Sequence, residues 1–156
     1  QPHLATSTWR VSGALGDLGT LADGVLGLGA QVALGADAFS IDTNGIYEST
    51  THTYLRLGAD LRVALVRDLL TLGAGGGYRF VLGTGDLDLS FGQSTASGFD
   101  VRVELGGAIE AGFTYALRFS YERYNHSFIG AGDIGAGTTG FDQSIRVGLF
   151  IGWSFW

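Results

Sequence analysis

From Ser144 to Phe155 the chain alternates with a period of two. Ile145, Val147, Leu149, Ile151, Trp153 and Phe155 take the odd positions; Ser144, Arg146, Gly148, Phe150, Gly152 and Ser154 take the even ones. Successive side chains of an extended strand point to opposite faces, so this spacing predicts a strand. One face is wholly apolar. The other is small and polar apart from Phe150.

The same pattern recurs upstream. It predicts strands over Trp9–Leu15, Val25–Phe39, His52–Val66, Leu69–Leu82, Phe99–Leu105 and Phe113–Glu122. Residues 16–24 read as a turn, with one helical turn over Leu18–Ala22 as an option. Ser40–Thr51 reads as a polar loop carrying the turn dipeptide Asn44-Gly45. Arg67-Asp68 and Glu110-Ala111 are tight connections, while Gly83–Gly98 and Asn125–Phe141 are long ones. Within the former, Asp86–Phe91 (DLDLSF) still alternates and reads as extended.

The polar face carries most of the charge. Arg10, Arg56, Arg62, Arg79, Arg102, Arg118 and Arg146 share it with Asp37, Asp60, Asp100, Glu104 and Glu122. The rest of that face is mainly Gly, Ala, Ser and Thr. A water-facing sheet has no need of so many small residues; a narrow interior does, because bulky side chains from opposite walls collide. Arginine forks joined to carboxylates would fill such a space and satisfy one another. The apolar face carries aromatics near strand ends, read as Trp9, Tyr54, Phe113, Tyr115, Tyr121, Trp153 and Phe155.

Composition narrows the class. The 156 residues suit a single domain over 1–156, and glycine supplies 27 of them. No apolar run approaches the roughly 18 residues of a membrane helix. There is no cysteine, which removes thiol chemistry and zinc–thiolate sites, and no lysine, so all nine cations are arginine. A net charge of −6 argues against nucleic acid as a partner. No signal peptide is read ahead of Gln1, so the numbered chain is expected to be either a mature or a trimmed form.

The terminal strand, with Ile151, Trp153, Phe155 and Trp156, resembles the C-terminal signal that the barrel-assembly machinery reads in bacterial outer-membrane β-barrels. Trp156 lies one residue beyond the apolar parity of that signal. Over nearly its whole length the chain resembles small barrels of the OmpA/OmpX type. The resemblance implies an all-β, membrane-spanning, antiparallel up-and-down barrel in the bacterial outer membrane. Short turns would lie on the periplasmic side and long loops outside. Seven strands are clear. At about 20 residues per strand and connection, eight fit the length, and such barrels use even numbers. The eighth is sought in residues 1–8, upstream of Gln1, or in Asp86–Phe91. The partners implied are outer-membrane lipid and lipopolysaccharide, the assembly machinery during insertion, and other envelope proteins. No cofactor is expected.

Candidate chemistry is sparse. The arginine–carboxylate set reads either as a polar channel or as a plug of ion pairs that holds the barrel in shape; the plug is the expectation. Asn125-His126-Ser127 resembles, weakly, the His/Ser rim site of outer-membrane lipid hydrolases, with Glu122 as a partner for His126. Adjacent residues of a strand point oppositely, which opposes that use. Asp86, Asp88, Asp133 and Asp142 offer loop carboxylates for calcium or lipopolysaccharide bridging, without the spacing of a calcium loop. His3 and His52 stand singly, and no metal site is expected. Gly73–Gly77 lacks the lysine and helix of a phosphate loop. The functional expectation is a non-enzymatic membrane anchor or subunit of an envelope assembly. A lipid hydrolase and a narrow solute pore remain as alternatives.

Overall fold

The computed structural model describes residues 6–41, 49–67, 69–85, 87–109, 112–130, 132 and 138–153. They form β1 (Thr6–Leu21), β2 (Leu26–Ile41), β3 (Thr50–Val66), β4 (Leu70–Gly83), a one-turn helix α1 (Leu87–Phe91), β5 (Gln93–Ala108), β6 (Phe113–Ile129) and β7 (Thr139–Trp153). The strands lie in chain order in one seven-stranded sheet, each antiparallel to the next. The strand ends at 21 and 26, 66 and 70, and 108 and 113 lie at one end of the sheet; those at 41 and 50, 83 and 93, and 129 and 139 lie at the other. No helix among the described residues is long and apolar enough to cross a membrane.

The sheet curls into a half-barrel. Arg10 of β1 reaches Glu122 of β6 at 2.6 Å, although four strands separate them along the sheet. Among the described residues β1 pairs with β2 and β7 with β6, so both edges stay open. Even-numbered residues of β3, β6 and β7 face inward, as do their register partners on the neighbouring strands. The outer face is mainly apolar along the strand centres and largely exposed: Leu15 is 79 % exposed, Leu149 71 % and Leu117 52 %. The buried set is mostly polar, with Asp37, His52, Arg56, Arg79, Asp100, Glu122 and His126 among its members.

Several elements run further than their apolar alternation indicates. β1 continues through Gly16–Leu21, so the turn shrinks to residues 22–25 and no helical turn forms there. Ala22, Asp23 and Gly24 all take positive φ (52°, 54° and 86°), and Gly24 N–H donates to Leu21 C=O at 3.2 Å. β5 begins at Gln93 rather than Phe99, and β6 runs to Ile129. Leu87–Phe91 is helical and is not an eighth strand. Residues 6–8 belong to β1, which removes a separate strand there too; residues 1–5 lie outside the described set. So do Asn44-Gly45, Asp68, Asp86, Glu110-Ala111, Asp133, Phe155 and Trp156.

Glycines shape the inner wall by close approach. A Cβ on Gly35 would lie 2.7 Å from Tyr54 Oη, on Gly77 2.6 Å from Arg56 Cζ, and on Gly98 2.7 Å from Tyr124 Cδ1. At each of these positions the space a side chain would need is taken by Tyr54, Arg56 or Tyr124. These three glycines therefore make room for large polar side chains packed inside the curl.

Candidate functional site

The inner face is organised in layers along the strands. In the middle layer six consecutive strands each contribute one charged residue: Arg10, Asp37, Arg56, Arg79, Asp100 and Glu122. Three cations meet three anions. Arg10 grips Asp37 and Glu122. Arg56 forks onto Asp100 with both bonds at 2.7 Å. Arg79 sits at the centre, 2.8 Å from Asp37, 3.1 Å from Asp100 and 2.6 Å from Glu122.

The register explains why these contacts cross the interior. Arg56 is directly opposed to Arg79 on the neighbouring strand, and Asp100 to Glu122. Like charges in that position repel. Each is relieved only by a partner from another strand, so the charge pattern favours a curled sheet over a flat one. Two tyrosines complete the layer. Tyr124 Oη donates to Asp37 at 2.7 Å and accepts from Arg79, while Tyr54 Oη approaches Asp37 at 3.3 Å. The Arg79 guanidinium lies 4.4 Å from the Tyr54 ring centre. Tyr54 therefore faces inward, correcting its assignment to the outer aromatic set: it shares parity with Arg56, not with Leu55.

Toward the short turns, Arg102 reaches Asp60 across the bare Gly75, and Gln31 donates to Asp60 at 2.7 Å. Arg118 pairs with Glu104 and lies over the Phe150 ring at 4.6 Å. Phe150, the bulky exception of the last strand, is thereby accounted for. Arg62 and Arg146 also face inward, but among the described residues neither has a carboxylate within ion-pair distance. Arg146 lines the side left open between β1 and β7. Ile151 and Trp153 lie exposed on the outer face of β7.

Toward the long connections a cavity of about 750 Å³ opens. Its lining includes His52, Tyr124, His126 and Asp142, with Leu87 and Phe91 of α1. His52 comes from β3, Tyr124 and His126 from β6 and Asp142 from β7. His52 stacks on Tyr124 with ring centres 4.1 Å apart, and His126 lies 5.1 Å from His52. His126 Nε2 is 3.1 Å from Asp142 Oδ2 and His52 Nε2 is 3.8 Å from the same oxygen.

His126 is 5 % exposed and turned inward, whereas Asn125 and Ser127 are exposed on the other face. Ser127 is thus not placed to give its proton to His126. Glu122 shares the face of His126 but is held by Arg10 and Arg79. The histidine–carboxylate group is not visible as a unit in the sequence because His126 falls inside the segment Asn125–Phe141, read as a loop, and Asp142 directly after it. Carrying the parity four residues past Glu122 and two residues ahead of Ser144 places His126 and Asp142 on the inner face with His52.

Family models, curated proteins and solved structures give no match to this chain.

Proposed function

We propose that the protein is a bacterial outer-membrane β-barrel, non-enzymatic, which serves as a membrane anchor or as a subunit of a cell-envelope assembly. The observation that carries this reading is the inversion of burial. Arg56, Arg79, Asp37, Asp100 and Glu122 are buried, while leucine, valine, isoleucine and aromatic side chains stand exposed on the outer faces of the seven strands. In water so wide an apolar surface drives association. Against acyl chains it is the favoured arrangement, and an arginine there would cost about 2–4 kcal/mol at the midplane.

In this reading an eighth strand closes the barrel between β1 and β7. Both are odd-numbered in an up-and-down sheet and so run parallel to each other. One strand antiparallel to both satisfies their open hydrogen-bonding edges, which lipid cannot do. It also faces Arg146 from the unfilled side. The long connections and the histidine-bearing cavity then lie outside the cell, the short turns in the periplasm.

The ion-pair layer acts as a plug. Six charged residues and two tyrosines crowd the interior, which favours anchoring over solute passage. The test is reconstitution. The folded chain should remain with the membrane under alkaline wash, shift in electrophoretic mobility on heating, and give no conductance steps in planar bilayers. Release into buffer as a soluble monomer would overturn the reading.

A further inference from the structure

We infer that His52, His126 and Asp142 form a binding site for a divalent transition-metal ion of the zinc class, at the cavity end of the interior. One ligand atom from each residue lies within 4.8 Å of the others. Donors bound to a tetrahedral zinc ion lie about 2.0–2.1 Å from it, and hence about 3.4 Å from one another. The separations of 3.1 and 3.8 Å from Asp142 Oδ2 to the two imidazole Nε2 atoms bracket that spacing.

A second observation points to a ligand independently. His52 Nε2 is buried and has no hydrogen-bond partner, in a residue only 3 % exposed. A buried polar atom without a partner costs about 1–3 kcal/mol. It is aimed at the carboxylate yet too far for a hydrogen bond. An ion between them supplies the missing partner and draws the three donors together.

The supporting shell is already rigid. The His52 ring is stacked on Tyr124, and Tyr124 is anchored through its hydroxyl to Asp37. The donors come from three strands, one of them well removed along the sheet, so the ion also ties β3 to β6 and β7 across the interior. Two imidazoles and one carboxylate select zinc, copper, nickel or cobalt over calcium and magnesium, which prefer all-oxygen shells. Asp142 is half exposed and the cavity opens beside it. That leaves a fourth coordination position to water or an external donor. The site rests on the packing of these strands and not on what surrounds the outer face.

The experiment is metal titration of the full chain, folded in detergent micelles, with zinc and cobalt chlorides against a chromophoric chelator. The expected result is one zinc ion per chain and visible cobalt absorption of the intensity given by four-coordinate sites. His52→Gln, His126→Gln and Asp142→Asn should each weaken binding by more than about 100-fold, since outer-shell changes alone cost about 10–100-fold. His3→Gln should bind as the parent does, and excess calcium should not displace zinc. Absence of stoichiometric binding, or affinity unchanged in both histidine variants, overturns the site. If a variant does not fold, X-ray absorption of the zinc-loaded parent decides instead: two imidazoles support the site, and fewer overturn it. A chain that proves soluble can be titrated in the same way in buffer, so the membrane reading and the metal site fail separately.

Discussion

Replacing Arg79 by methionine removes the one cation that touches all three acids of the middle layer. In the parent, Arg10, Arg56 and Arg79 balance Asp37, Asp100 and Glu122, and the layer is neutral. Without Arg79 it carries one net negative charge in a region where the side chains of all three acids are about 10 % exposed. Arg10 still serves Asp37 and Glu122, and Arg56 still serves Asp100, so no acid is wholly abandoned. Asp100 and Glu122, neighbours in register, nonetheless lose the guanidinium between them. Breaking a buried pair in this way costs about 3–5 kcal/mol. Arg118→Met provides the scale: its pair with Glu104 is partly open to solvent, with side chains 38 % and 28 % exposed, and such pairs are worth about 0–1 kcal/mol. The assay is reversible urea unfolding of detergent- or lipid-folded protein, followed by the fluorescence of its three tryptophans. Adding Glu122→Gln to Arg79→Met restores neutrality and should recover about 0.5–3 kcal/mol as coupling. A loss for Arg79→Met no larger than that for Arg118→Met would refute the view that this layer holds the curl together.

Two further outcomes follow from the same layer. Gly77→Ala puts a methyl 2.6 Å from the Arg56 guanidinium, which its fork to Asp100 holds in place. It should cost about 1–3 kcal/mol in the same unfolding assay, whereas Gly13→Ala, with nothing within 4 Å, should change little. Tyr124→Phe loses a 2.7 Å bond to the Asp37 carboxylate and should cost about 1.5–3 kcal/mol, while Tyr54→Phe, at 3.3 Å, should cost less than half as much.

The strand cores and their faces were legible because alternation needs only local sequence. Leu55–Leu65 and Ile145–Trp153 keep strict parity, and the arginines fall on one side of it. The strand ends were not legible. Gln93–Gly98 contains no large apolar residue, and Asn125–Ser127 is polar on both faces, so neither shows the alternation that marks a strand. Asp86–Phe91 fits two periods at once: its leucines alternate, but Leu87 and Phe91 are also four apart, on one side of a helical turn. The structure uses the second, with Phe91 5.6 Å from the Phe128 ring. Tyr54 was misassigned by composition, since aromatics at strand ends suggest an outer girdle whatever their parity. The convergence of His52, His126 and Asp142 needs the curl of the sheet. That depends on cross-interior pairs such as Arg10 with Glu122, which no local pattern discloses.

Lipid exposure along β6 tests the central claim most directly. The chain has no cysteine, so single cysteines can carry a nitroxide without background. Labels at Leu117, Phe119 and Tyr121 lie on the outer face, and labels at Ala116 and Ser120 on the inner one. In reconstituted bilayers, the outer three should collide freely with dissolved oxygen and scarcely with a water-soluble nickel chelate, while the inner two should be shielded from oxygen. Outer labels that meet the nickel chelate as readily as oxygen would contradict the account.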